Sequence, residues 1–481
     1  MANQSSCTTI AVDLDGTLVH TDTLHESCLK LFHLNPAQIF LLPLWLMRGK
    51  AYLKTKLSER TTLNFASLPY NLELIDWLKE QKALGYQLIL CTASNVKVAN
   101  AIAAHLNLFD EIIASDEQSN LAGKHKRDAL IKRFGDHGFI YVGNSKADLE
   151  VWQSAAQAVV VNANQNLIKK ATQLTEVTKI FPSAPITIDS WRRVLRVHQY
   201  LKNLLLFLPL LAAHQVMQLQ SLKILLLAFV SFSLCASAVY ITNDLMDLEN
   251  DRQHPRKRKR PFAAGVVPIE YGVILAPIIL IISFLLALFI GSHFYGWLLA
   301  YFLITVAYSL RLKRYLLIDC LTLATLYTLR IIAGATAIAI SLSFWLLAFS
   351  IFIFLSLAFI KRYAELEVQI HQGNEKSHGR AYQVNDAPLI QTLGIASGYA
   401  SVLLLALYLN SETVISLYAT PEIIWLAVPL MLFWVSWMWM KAHRGEMHDD
   451  PIVFAIKDKT SLAIVLLLAI TFTVASLLVV V

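Results

Sequence analysis

The chain has 481 residues, room for two to four domains at roughly 100–200 residues each. With 56% hydrophobic and 16% charged side chains, it is too apolar for an ordinary soluble protein and too patterned for a disordered one. Its net charge of +7 falls wholly beyond residue 190, and five scattered cysteines (Cys7, Cys28, Cys91, Cys235, Cys320) with no CxxC pair exclude a disulfide scaffold and a zinc cluster.

Residues 1–190 hold 18 acids and 18 bases. No basic stretch followed by an apolar run opens the chain, so no signal peptide is expected and the front part is expected to stay in the cytoplasm. Residues 8–12 read as a buried strand running into Asp13-Leu-Asp15-Gly-Thr17. Two carboxylates then stand at its carboxyl end, where α/β sheets put their sites. The stretch from about 24 to 72, rich in Leu, Phe and Trp, is expected as a helical cap. A second strand, 86–92, ends in Thr92, and Gly123-Lys124-His125-Lys126 begins a helix. A third strand, 138–143, leads to Asn144-Ser145 and then Asp148. Strands alternating with helices predict a parallel sheet.

These four ordered motifs resemble those of the haloacid-dehalogenase-like phosphatases. The resemblance implies a Rossmann-like α/β domain over residues 1–181, with Asp13 as the nucleophile that takes the phosphoryl group. Asp15 is then the acid that protonates the leaving alcohol and afterwards activates water. Thr92 is the implied phosphate binder, and Lys126, with Lys124 in reserve, neutralises the intermediate. Mg²⁺ is implied at Asp13, Asp15, Asn144 and Asp148. Asn144 departs from the pattern, since many members carry Asp there; the lost carboxylate weakens the metal grip or marks an inactive domain.

A short proline-bearing joint follows, and residues 182–198 read as a linker with a segment along the inner leaflet. Over 199–481 the expectation is an all-α, nine-helix transmembrane bundle. Its apolar segments lie near 201–217 (the shortest), 222–242, 269–290, 294–310, 316–338, 343–360, 389–409, 422–440 and 461–481. A hydrocarbon core of about 30 Å needs roughly 20 such residues. With the amino end inside, 21 of the 23 bases beyond residue 190 fall on one side of nine spans. The expected setting is the cytoplasmic (inner) membrane, with the carboxyl end outside.

The second span ends in Asn243-Asp244, Asp247 and Asp251. At 100° per residue these three aspartates share one helix face. Carboxylates crowded there repel unless a hard divalent cation such as Mg²⁺, shared with phosphate oxygens, neutralises them. Six bases follow, Arg252 and residues 256–260. Arg260 is the expected phosphate contact, while its neighbours suit anionic lipid equally well. The same side gathers Lys202 and Asn203, then Tyr308, Lys313 and Asp319, then Lys361, Arg362 and Glu365. Arg330 lies within a span, with Asp319 the candidate partner on its face. About 16 Å of rise argues against a direct bond, leaving a pair with another helix open.

This constellation, from about residue 190 on, resembles the UbiA superfamily of intramembrane prenyltransferases. The family's second motif is commonly DxxxD, whereas here Asp319 is followed four residues later by Leu323. Together with the stretches 198–214, 308–313 and 361–365, the chain looks closest to the decaprenyl-phosphate phosphoribosyltransferase branch. Members of that branch join polyprenyl phosphate to phosphoribosyl diphosphate (PRPP). The resemblance implies Mg²⁺ at Asp244, Asp247 and Asp251, with Asp244 and Asp247 catalytic. It also implies substrate or phosphate contacts from Asn243, Lys202, Asn203, Arg260, Tyr308, Lys313, Asp319, Arg330, Lys361 and Arg362. A phosphoribosyl product carries a phosphomonoester, the substrate type of the front domain, so the expected whole is a bifunctional membrane enzyme. It releases pyrophosphate, then the 5-phosphate, to leave polyprenylphosphoryl-ribose; a nucleic-acid partner is not expected and self-association stays open. Two other readings are prenyl transfer to an aromatic acceptor and a non-catalytic lipid-binding scaffold.

Overall fold

The computed structural model describes residues 8–371, 381–447 and 450–477; Cys7, Lys376 and Arg380 lie outside them. Two compact units emerge. The first runs to Leu195 and takes in Tyr240–Ala276; the second comprises Arg196–Val239 and the described residues from Pro277 on. The segment bearing the three clustered aspartates, read from sequence as part of the membrane half, groups with the front unit.

The front unit holds a six-stranded sheet: β1 (Thr9–Val12), β2 (Gln87–Asn95), β3 (Glu111–Ser115), β4 (Ile140–Gly143), β5 (Gln157–Val161) and β6 (Glu176–Phe181). The order is β3-β2-β1-β4-β5-β6 and every pairing is parallel, as the alternation of strands and helices predicts. Chain order reverses at β1, so the carboxyl ends of β1 and β4 flank a topological switch point. Alternate residues feed two cores. Ile10, Val12, Leu88, Leu90 and Val142 pack with Leu74, Leu78 and Ile102 on one face. Ala11, Ile89, Cys91 and Tyr141 pack with Leu130 and Trp152 on the other. Between β1 and β2, the helices Thr23–Leu34, Leu42–Met47 and Lys50–Arg60 close around Leu31, Trp45, Leu53 and Leu57.

The segment Tyr240–Ala276 is tied to this helical cap. Arg252 forks onto Glu26 (Nη2–Oε1 2.6 Å, Nη1–Oε2 3.1 Å), and its Nε donates to the Ala263 carbonyl. Both side chains are only 4% exposed. Lys30 pairs with Glu249. Breaking a buried pair from one side leaves a lone buried charge at a cost of about 3–5 kcal/mol. Glu26→Ala is therefore expected to lower the thermal unfolding midpoint, and Glu26→Leu combined with Arg252→Leu to recover most of it.

Eight helices, not nine, are long and apolar enough to cross a membrane among the described residues. They are Leu219–Met246, Ile269–Ile290, Ser292–Leu310, Ile318–Ala337, Phe344–Ile370, Val384–Leu409, Pro421–His443 and Lys459–Leu477. The expected first span instead forms a 3₁₀ helix, Val197–Phe207, and a five-residue helix, Leu208–Ala212. Pro209 withholds a backbone donor there, and His214 at φ +54° ends the run in a conformation no helix continues. In the second unit, Ile318–Ala337 is the central helix, 67% buried against 17% for Ser292–Leu310. A Cβ on its Gly334 would fall 2.0 Å from the Leu206 carbonyl oxygen, so only glycine lets the 3₁₀ segment lie against this helix.

Candidate active sites

Asp13 follows β1 directly, and its amide donates to the Val142 carbonyl of β4 (2.9 Å), which fixes the residue at the switch point. Lys126, buried in the first turn of the helix Lys124–Phe134, donates to Asp13 Oδ1 (2.8 Å) and Tyr141 Oη (2.9 Å). Lys124 is exposed, so Lys126 is the lysine this fold brings in. Gly16 turns at φ +72°, and a Cβ there would meet Asn144 Nδ2 at 2.1 Å, so the turn after Asp15 depends on glycine. Asp15 accepts from the Thr23 amide (2.8 Å) and from Ser94 Oγ (2.5 Å). Thr92 is fully buried, with its hydroxyl accepting from the Ser94 amide (3.0 Å). Ser94, which the sequence did not single out, is thus the hydroxyl beside the Asp15 carboxylate. Lys54, from the cap helix Lys50–Arg60, reaches the Ala93 carbonyl, and burial lowers its pKa.

Burial, reinforced by Asp22, pushes Asp15 above the usual carboxylate range. Burial also pushes Asp13 up to about 7 in spite of Lys126. A carboxyl that burial makes readier to keep its proton suits the acid's role at Asp15. Burial outweighs Lys126 at Asp13, so any added positive charge would favour its ionised form. Asp148 accepts from Tyr141 Oη, the Asn144 and Ser145 amides and Ser145 Oγ. Three of these bonds fall on Oδ2 and one on Oδ1, so Asp148 braces the loop and still keeps acceptor capacity on Oδ1 beside Asp13 and Asn144. Among the described residues, no three His, Cys, Asp or Glu side chains converge closely enough to form a metal cage by themselves.

In the aspartate segment, the helix Leu219–Met246 stops one residue before Asp247, which precedes the short helix Leu248–Gln253. Bonds from Asp247 N to Asn243 O (2.9 Å) and from Asp251 N to Asp247 O (2.8 Å) carry the helical path across the break. Asp244 and Asp251 are buried and Asp247 is half-buried. Arg260 Nη1 donates to both Asp244 Oδ1 (2.9 Å) and Asp251 Oδ2. Burial holds Asp251 above the usual range even so. Arg260 thus supplies the positive charge that brings Asp244 and Asp251 together.

In the second unit, Lys202 and Lys361 both sit on an acid missed from sequence. Asp450, which caps the helix Pro451–Lys457, lies 2.7 Å from Lys202 Nζ and 3.3 Å from Lys361 Nζ. Although burial opposes it, these two ammonium groups hold the Asp450 carboxyl well below the usual range. Asp450, Lys361 and Leu323 line one small cavity, so a carboxylate stands near the position where the second motif lacks one.

Arg330 does not meet Asp319. Its Nε donates to Asn203 Oδ1 (3.0 Å), its Nη2 to Tyr301 Oη (3.1 Å) and its Nη1 to the Leu326 carbonyl; its guanidinium lies over the Tyr301 ring (4.8 Å). Asp319 lies instead 2.8 Å from Arg362 Nε and accepts from Tyr382 Oη. The rise along Ile318–Ala337 separates the two ends, as the arithmetic requires. Arg362 also pairs with Glu365, yet its buried Nη2 finds no acceptor among the described residues. Tyr308 lies near enough to Arg362 to interact electrostatically, and Lys313 stands half-buried on the turn Leu312–Arg314.

Eight apolar helices together with a parallel α/β unit define a multi-pass membrane protein with a substantial extramembrane part. Residues 204–457 match the UbiA prenyltransferase family, and the chain belongs to it. It is 35% identical to the uncharacterized protein y4nM of Sinorhizobium fredii, over 96% of this chain and 90% of that one. It is 36% identical to a decaprenyl-phosphate phosphoribosyltransferase of Mycobacterium tuberculosis, over 38% of this chain and 61% of that one. A HAD family hydrolase from Salmonella enterica overlaps 36% of this chain and 66% of its own, at 15% identity and a TM-score of 0.28.

Proposed function

We propose that the protein transfers 5-phosphoribose from PRPP to polyprenyl (decaprenyl) phosphate, releasing pyrophosphate, and that its front unit removes the 5-phosphate to give polyprenylphosphoryl-ribose. The observation that carries this reading is the joining, in one chain of this family, of a charge-hungry aspartate face to a buried Asp13–Lys126 pair suited to a phosphomonoester. The relatives named as decaprenyl-phosphate phosphoribosyltransferases point the same way.

Asp244, Asp247 and Asp251 are the residues that would hold Mg²⁺, which would supply positive charge to the departing pyrophosphate. Arg260, released from the two aspartates, binds a phosphate oxygen in forked geometry. Lys202 and Lys361 bind phosphate as point charges, with Asp450 as the anion that positions them. The acceptor phosphate is already anionic, so its oxygen attacks the ribose anomeric carbon without a strong base. In the second step an Asp13 oxygen attacks phosphorus as the bond to the ribose 5-oxygen breaks, and Asp15 gives that oxygen its proton. Water then cleaves the aspartyl phosphate, its proton returning to Asp15 while Lys126 balances the charge. The aspartate and lysine groups face the cytoplasmic side of the inner membrane in this reading.

The test is mass spectrometry of lipids formed by the purified protein in nanodiscs from polyprenyl phosphate, PRPP and Mg²⁺. Polyprenylphosphoryl-ribose is the expected product. Absence of any lipid-linked pentose, with prenylation of an aromatic acceptor from a prenyl diphosphate instead, overturns the reading.

A further inference from the structure

We propose that the cap of the front unit carries an interfacial face, formed by residues 36–47 and fitted to an anionic lipid surface. This stretch, PAQIFLLPLWLM, contains no charged side chain. It folds as the 3₁₀ helix Pro36–Leu41 running into the helix Leu42–Met47. Trp45 turns inward to the small cap core with Leu31, Leu53 and Leu57. Its neighbours do not. Phe40 is 79% exposed, Leu44 58%, Leu46 50% and Met47 84%. Large apolar side chains clustered in the open mark a binding surface.

Length and charge select the partner. Twelve residues are too few to cross a hydrocarbon core of about 30 Å, which leaves insertion in the plane of the headgroup boundary. Between Glu26 and Glu59 the chain has no acid at all; of its five bases there, Lys30, Lys54 and Lys56 are taken by Glu249, the Ala93 carbonyl and Glu59, which leaves Arg48 and Lys50. Arg48 and Lys50 follow the apolar run at once, and both are exposed. An apolar stretch without a carboxylate of its own, followed at once by Arg48 and Lys50, complements a negatively charged bilayer. The chain already resides in lipid through its eight spans, so a bilayer is the apolar surface at highest local concentration.

The same cap meets the Asp13–Asp15 pocket, through Thr23 on Asp15 and Lys54 on Ala93. A cap seated in headgroups therefore holds that pocket where a lipid-linked phosphomonoester arrives. This last step rests on the function proposed above; the lipid contact does not.

The test uses the full-length protein in nanodiscs, with an environment-sensitive fluorophore on Met47→Cys and the signal of the identically labelled parent subtracted. Leu72→Cys, on the same unit and 69% exposed, is the control. The expected result is blue-shifted emission at position 47, quenched about two-fold or more by brominated acyl chains, in discs containing phosphatidylglycerol. The control should be unaffected, and the effect weaker in phosphatidylcholine alone. Emission at 47 as water-like as at 72 overturns the proposal. A blue shift without bromine quenching also overturns it, because another protein segment or a second copy then covers the face. Benzoylphenylalanine in place of Phe40 guards against a label artefact: its photoproducts should carry lipid, and crosslinks to protein alone count against the proposal. No arm of this test reads turnover, so it fails or succeeds separately from the enzymatic reading.

Discussion

Alanine at Asp244 is expected to reduce formation of lipid-linked pentose by about 10³-fold, the equivalent of losing roughly 4 kcal/mol of metal-assisted charge stabilisation. The reason is local. Asp244 and Asp251 share a single nitrogen of Arg260, so removing either carboxylate breaks the arrangement in which two acids hold one cation. Asp251→Ala should fall by a similar factor. Asp244→Asn keeps the shape but not the charge, and should raise the Mg²⁺ concentration needed for half-maximal rate. Lipid extraction after incubation with labelled PRPP measures all three. Hydrolysis of a generic phosphomonoester serves as the control for folding, because the aspartate segment and the Asp13 pocket lie in one compact unit. An unchanged transfer rate in correctly inserted Asp244→Ala protein would remove the aspartate face from the mechanism.

Asp13→Asn is expected to lower phosphomonoester hydrolysis by on the order of 10⁴ or more, as loss of a covalent nucleophile does. With polyprenyl phosphate and PRPP supplied, the lipid that accumulates should be heavier than the parent's product by one phosphate group, at an undiminished rate of appearance. The amide keeps the carboxylate's volume and an oxygen that Lys126 can reach at the present 2.8 Å, so the fold should survive. Identical lipid products from the variant and the parent would show that the front unit does not act on this substrate.

The sheet and most of the bundle were legible because burial writes itself into sequence. Strands covered on both faces read as apolar runs, and spans read as runs of about 20. The stretch 201–217 misled because composition registers apolarity but not backbone geometry; Pro209 and His214 divert it. Asp244 and Asp251 still meet at Arg260 across a helix break, because the i→i−4 bonds of Asp247 and Asp251 persist through it. Tertiary pairings were the illegible part. Arg330 and Asp319 share a helix face, yet each is satisfied by other elements, through Asn203 and Tyr301 in one case and Arg362 and Tyr382 in the other. Asp450 carried no motif, and only folding shows that it holds two lysines distant in sequence.

The Glu26–Arg252 fork has a consequence for biosynthesis. These partners are 226 residues apart, and at 5–20 residues per second the ribosome makes the second about 10–45 s after the first. All six strands are translated before residue 182, so the sheet has its full complement early. Glu26 must then wait for its buried partner until Arg252 has been made. Completion of the front unit is thereby timed by synthesis of the chain as far as Arg252, and a gene split at the proline joint would release a front fragment permanently short of its arginine.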